Sequence, residues 1–304
     1  MYALEIDHVR KRYGSNVVVD DLSFTVEPGR VTGFLGPNGA GKSTLMKILL
    51  DLASADGGRA TIGGIRYRAY RDPSRTVGVV LEPNAFHPGR SGRNHLRVLA
   101  DGMGVPRARV EEMLRLVGLA EAADRRVGAY SLGMRQRLGI AAALLGDPPV
   151  LVLDEPGNGL DPQGIRWLRD LLRLRAANGN TVFVSSHLLA EVEHLADDVV
   201  VIDRGRLVAA GAISQLQAKA TQVRTPAPER LTDVLTAAGA QVRASDGALL
   251  VSGLPITEIG DCAQLAGIPL HELTPSSGSL EELFLGWTDA AGHDRTDREK
   301  VVSS

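Results

Sequence analysis

The chain predicts an α/β protein with a mostly parallel central sheet, an antiparallel N-terminal β portion and a small α+β C-terminal module. Three observations predict it. Short aliphatic runs with little alternation recur at residues 31–35, 77–81, 150–153 and 181–184, as in strands covered on both faces. Helical patterns separate them, over roughly 92–102, 107–117, 132–145 and 163–177, which is the succession an α/β core requires. A glycine-rich loop, Gly36-Pro37-Asn38-Gly39-Ala40-Gly41-Lys42-Ser43, joins the first of these runs to the helical pattern at 44–50.

Taken in order, residues 4–9 alternate apolar and polar like a half-buried strand, and residues 22–26 do the same. Pro28-Gly29 then breaks the chain. The loop that follows the next strand has the spacing and the strand–loop–helix setting of a phosphate-binding loop. Its glycines permit successive amides to turn inward around phosphate oxygens, and the helix N-terminus adds its dipole. In this motif Lys42 sets a positive charge against the β- and γ-phosphates, and Ser43 offers a hydroxyl to Mg2+. Gly36, Pro37, Asn38, Gly39, Ala40, Gly41 and Thr44 complete the expected nucleotide-contacting set.

Residues 150–153 end in Asp154-Glu155, two carboxylates at the close of a buried strand. Placed beside the phosphate-loop strand, that run would bring Asp154 to the metal and Glu155 to the γ-phosphate. Hydrolysis needs both jobs: holding Mg2+, and orienting or deprotonating the attacking water. His187 ends the run 181–186, again at a strand's C-terminal end, where α/β proteins gather ligands. Residues 199–203, Arg204-Gly205 and 206–209 read as a closing hairpin.

Residues 1–217 form the first predicted domain. Composition then shifts, and residues 218–228, with Thr225-Pro226-Ala227-Pro228, read as a linker. The module at 229–288 is expected to contain helices at 229–238, 256–266 and 279–287 and strands at 240–244, 248–252 and 268–273. His271 and Glu272 lie in it without metal-ligand spacing and are expected at the surface. Residues 289–304 are polar and mixed in charge, the pattern of a disordered tail.

Composition narrows the function classes. Of 304 residues 44% are apolar and 23% charged, ordinary for a globular protein, and a net charge of −2 supplies no basic field for nucleic acid. Cys262 is the single cysteine, so no intrachain disulfide exists. The first residues lack the layout of a signal peptide, and no stretch approaches the ~18 continuous apolar residues of a membrane span. Any membrane role is therefore expected to be peripheral.

These residues together resemble the nucleotide-binding subunit of an ATP-binding cassette (ABC) transporter over about residues 2–217. Tyr13 matches the aromatic residue that stacks on adenine. The stretch 130–137 matches the family signature, Asn158-Gly159-Leu160-Asp161 the loop after the catalytic glutamate, and His187 the switch histidine. The resemblance implies a P-loop NTPase core of ABC type with a helical subdomain, binding ATP and Mg2+. It makes Glu155 and His187 catalytic, and has Ser131 and the amide of Gly133 touch the γ-phosphate held by a second subunit. One phosphate loop and one signature then imply a homodimer, or a heterodimer with a similar chain.

Two departures stand out. Leu132 and Met134 replace residues more usual in the signature. Glu82 stands where the family usually has glutamine, adding a carboxylate to the expected metal site of Ser43 and Asp154. The loop 84–90 and the C-terminal appendage resemble bacterial drug- and lipid-export ATPases. They imply a separate polytopic membrane permease and a place on the cytoplasmic face of the cell membrane, with no nucleic acid partner. Phe86 is expected either to touch that permease or to cover the chain's own helical subdomain. Alternative readings are a soluble cassette ATPase acting on DNA or the ribosome, and a weakly hydrolysing regulator. The single cassette and the lack of a long coiled-coil insertion between Leu50 and Ser131 argue against the first; Glu155 and His187 argue against the second, which Glu82 keeps open.

Overall fold

Alternating burial pairs the first strands. Strand β1 (Leu4–Tyr13) buries Leu4 and Ile6, passes an irregularity at His8 with φ 50°, and resumes with Val9 buried. The extra residue returns the apolar set to the core face, so β1 runs well beyond the predicted 4–9. It pairs antiparallel with β2 (Asn16–Val26) and, on its other side, with β4 (Gly57–Ile62). The computed structural model describes residues 2–81, 86–216, 219–245 and 247–277. Glu82, residues 84–85 of the following loop, the predicted helix at 279–287 and the predicted tail lie outside the described residues.

The second sheet is the α/β core. Its strands are β3 (Val31–Leu35), β5 (Val77–Val80), β6 (Val150–Asp154), β7 (Thr181–Ser186), β8 (Asp198–Asp203) and β9 (Arg206–Ala212). Among the described residues the order is β5-β6-β7-β3-β8-β9, with the pairs from β5 through β8 parallel. This corrects one expectation: β6 is not beside the phosphate-loop strand β3, because β7 lies between them. Helix α1 (Lys42–Leu49) touches β2 and β4 of the first sheet and β6 of the second, carrying Ser43 across the strand ends to Asp154. A cluster of Phe24, Phe34 and Phe183 joins the sheets, with the Phe34 and Phe183 rings stacked at 5.1 Å.

A short helix α2 (Pro73–Thr76) leads into β5. Helices α3 (Gly92–Met103), α4 (Arg107–Leu116) and α5 (Leu132–Leu144) pack on one another, and Leu96, Val110, Leu114 and Leu138 on them are buried. Phe86 meets the buried His95 of α3 edge-on at 4.8 Å, so it covers this helical subdomain. Burial pushes the His95 imidazole below its usual pKa. Helices α6 (Pro162–Ala177) and α7 (Leu189–Leu195) cover β3 and β7, and the sequence reading had assigned no element to α7.

The chain divides into two compact units after Gly211, six residues before the predicted boundary. The second unit begins with the short α8 (Ile213–Leu216) and continues as β10 (Lys219–Arg224), α9 (Pro228–Ala237), β11 (Gln241–Ser245), β12 (Ala248–Ser252), α10 (Ile256–Leu265) and β13 (Glu272–Ser277). The expected linker at 218–228 therefore contains a strand, and that strand is central in the antiparallel order β11-β12-β10-β13. Thr221 and Val223 are buried while Gln222 and Arg224 are not, a period-two pattern too short and polar to stand out. The result is a β-α-β-β-α-β unit whose helices bury Leu231, Leu235, Ile259 and Ala263 against Val223, Leu249 and Val251. Strand β13 starts at Glu272, later than the predicted 268. His271 is exposed and Glu272 pairs with Arg224 at 3.0 Å.

Phe183 is fully buried where the two sheets of the first unit meet. Phe183→Ala is expected to cost about 3–5 kcal/mol of stability, read as a lowered denaturation midpoint by circular dichroism.

Candidate functional site

The loop after β3 closes on itself through the Ala40 amide, which donates to the Pro37 carbonyl at 3.1 Å. Gly41 has φ 106°, and a Cβ there would lie 2.5 Å from the Val18 carbonyl oxygen. Only glycine tolerates both the left-handed backbone and that approach. Its neighbours Pro37, Asn38 and Gly39 form the exposed rim, while Gly36 and Ala40 are buried, and Thr44 is half-buried in the first turn of α1.

Lys42 is 6% exposed, its ammonium donating to the carbonyls of Gly36 at 2.6 Å and Pro37 at 3.3 Å. Burial lowers its pKa, and the nearby carboxylates of Glu155 and Asp154 oppose that shift. One oxygen of Glu155, Oε1, lies 3.8 Å from the ammonium; the other, Oε2, is 2.8 Å from Nδ1 of His187. Lys42, Glu155 and His187 thus form a line from the loop across the strand ends.

Asp154 is bound on both sides. Its Oδ2 accepts from the Ser43 hydroxyl at 2.6 Å, and its Oδ1 accepts from the Ser185 hydroxyl at the end of β7. Ser185 also accepts from the Glu155 amide at 2.9 Å. Glu155 itself has φ 49°, a left-handed conformation uncommon for a residue with a Cβ. The hydroxyl of Ser43 beside the Asp154 carboxylate is a hard oxygen pair suited to Mg2+. Among the described residues no group of three or more His, Cys, Asp or Glu side chains is arranged to hold a metal ion by itself, and phosphate and water oxygens would supply further ligands. The donor set fits that ion.

The structure therefore brings Lys42, Ser43, Asp154, Glu155 and His187 together. Glu82, expected at the metal, lies outside the described residues. Ser131 and Gly133 sit elsewhere on the same unit: Ser131 is exposed and caps α5 by accepting from the Met134 amide at 3.2 Å. A Cβ on Gly133 would lie 2.6 Å from the Gly159 carbonyl oxygen, so the signature rests on the loop after Glu155. Leu132 is half-exposed and packs over Gly159. Tyr13 is 52% exposed at the tip of the β1–β2 hairpin, with the Lys11 ammonium 5.2 Å from its ring centre and anchored to Asp56 at 3.0 Å. That hairpin meets the phosphate loop at Val18 and Gly41.

Two residues of this site escaped the sequence reading. Ser185 lies in an aliphatic run whose polar member carries no motif. Gln136 lies within the signature stretch, and its Nε2 donates to the Glu155 carbonyl at 3.3 Å. Ser185→Ala leaves the Asp154 carboxylate and the Glu155 amide each short of one buried partner. The expected loss is about 1–3 kcal/mol of stability. The Mg2+ concentration for half-maximal ATP turnover is expected to rise about tenfold.

A family model described as ABC transporter matches residues 19–158, and a domain of unknown function, DUF8746, matches residues 219–281. The chain is 41% identical over 218 residues to the bacitracin transport ATP-binding protein BcrA of Enterococcus faecalis, covering 71% of each chain. It is 37% identical over 299 residues to the Nod factor export ATP-binding protein I of Burkholderia orbicola, covering 94% of this chain and 96% of that one. A solved structure of an ATP-binding subunit of an ABC transporter superposes with a TM-score of 0.64 at 30% identity, over 70% of this chain and 91% of that one. With the phosphate loop, the two strand-end carboxylates and the signature in one unit, the chain belongs to the ABC transporter ATP-binding proteins, the ATPase subunits of such transporters.

Proposed function

We propose that this chain, held on the cytoplasmic face of the cell membrane by a separate polytopic permease, hydrolyses Mg2+-ATP at the site described above and drives export through that permease. The observation that carries the reading is the convergence of Lys42, Ser43, Asp154, Glu155 and His187 from the C-terminal ends of β3, β6 and β7. Lys42 holds the phosphates: its desolvated ammonium gains more from phosphate oxygens than from two carbonyls. Ser43 and Asp154 would hold Mg2+, which when bound neutralises phosphate charge. Glu155 orients the attacking water and takes its proton at Oε1, because Oε2 is already engaged by His187. Tyr13 stacks on adenine with the ring face away from Lys11.

Ser131 and Gly133 serve the nucleotide of a second subunit, in a homodimer or with a similar chain. The reading is supported by the exposure of Ser131 and by the seat of the signature on the Gly159 loop, not on the phosphate loop of its own chain. Cargo of drug, peptide or lipid-like character follows from relatives named for bacitracin transport and Nod factor export.

Glu155→Gln keeps shape and removes the base. Turnover is expected to fall at least about a hundredfold with ATP binding intact, and light scattering is expected to show a shift toward dimer with ATP. Wild-type turnover in that variant sinks the assignment. Lys42→Ala is expected to weaken ATP binding instead, measured by equilibrium titration.

Ser131→Arg is expected to spare ATP binding by the monomer and block ATP-driven dimerisation. Mixing it with Lys42→Ala chains creates one intact composite site per heterodimer. Recovered ATPase activity is the expected outcome, whereas efficient hydrolysis by a strictly monomeric wild type rules the paired model out.

A further inference from the structure

Glu155 combines a left-handed backbone with the side chain assigned above as the base. A left-handed residue with a Cβ persists only where its surroundings hold it. Both polar groups of its own backbone are held by side chains from other elements. The amide donates to Ser185 at the end of β7; the carbonyl accepts from the Asn158 amide of the following turn at 3.2 Å and, from outside that turn, from Gln136 in the second turn of α5 at 3.3 Å. Gln136 is 2% exposed. Its amide turns Nε2 toward Glu155 and leaves the buried Oε1 without a hydrogen-bond partner among the described residues. An apolar side chain of similar length would fill the same space without stranding an acceptor, so packing alone does not account for a glutamine here.

We propose that Gln136 is a positioning residue for hydrolysis: its hydrogen bond to the Glu155 carbonyl holds the left-handed peptide and thereby sets where the Glu155 carboxylate sits. The inference rests on the reading of Glu155 as the base. Gln136 acts through Glu155 and does not touch the nucleotide. Because Gln136 and Ser131 belong to the same short helix segment, a displacement of the signature end of α5 moves the group that holds Glu155. The capped start of α5 and the base are therefore linked within one chain by about one and a half helical turns.

The test uses the full chain. Gln136→Met keeps length and removes the donor. Turnover is expected to fall about ten- to a hundredfold, the scale on which a misplaced catalytic group costs rate. ATP affinity by titration and the thermal midpoint are expected to stay near wild type. Gln136→Glu supplies a second readout. The protonated carboxyl donates to the Glu155 carbonyl and the carboxylate cannot, so the ratio of variant to wild-type turnover is expected to climb as pH falls.

Turnover of Gln136→Met within about twofold of wild type overturns the proposal. So does a loss of turnover that merely parallels losses of ATP affinity and thermal midpoint, or a flat ratio for Gln136→Glu across pH. Glu155→Gln run alongside separates the two readings. If it turns over normally, the base assignment itself fails. If it is inactive while Gln136→Met is active, only the positioning role fails.

Discussion

The Asp154 carboxylate is the junction on which the site depends. One oxygen takes a hydrogen bond from Ser43 at the start of α1 and the other from Ser185 at the end of β7, while Asp154 itself ends β6. Three elements from distant parts of the chain are thus tied at a single buried group, and charge-assisted hydrogen bonds of this kind are stronger than neutral ones. The order β6-β7-β3 makes this necessary. With β7 between the carboxylate strand and the phosphate-loop strand, Asp154 reaches the loop's helix only across the end of β7, and Ser185 is the β7 residue that supports it there.

Around that junction the site carries features that cost stability. Lys42 is desolvated, Glu155 is left-handed, and the buried Gln136 acceptor has no partner among the described residues. Each is unfavourable by itself, and Lys42 and Gln136 each lie beside Glu155. Local costs gathered in one place are the usual mark of a working site, since the groups that would relieve them belong to the ligand or to catalysis. The two-sheet core with its Phe24, Phe34 and Phe183 cluster provides the rigid support that lets them persist.

The signature belongs to the same framework. Gly133 and Leu132 close on the Gly159 loop, and Arg137 of α5 reaches toward Asp161, which caps α6, at 3.9 Å. The start of α5 is therefore braced against the segment that follows Glu155. The signature and the loop after Glu155 are thus packed as one local framework.

Much of this was legible in the sequence because it is local. The phosphate loop, the carboxylates at 154 and 155, the helices of the core and the position of His187 follow from spacing and periodicity within short windows. Chain order also implied an α/β core. What stayed hidden is what depends on strands meeting across long separations. Strand order placed β7 between β3 and β6, which no local pattern encodes. Ser185 and Gln136 acquire their roles only from partners 31 and 19 residues away. The strand at Lys219–Arg224 was hidden for a related reason: its two buried residues, Thr221 and Val223, matter only once β12 and β13 flank it. Short-range chemistry is written in residue type and spacing, whereas the partner of a buried polar group is decided by tertiary structure, because hydrogen bonds are directional and reach only a few ångströms.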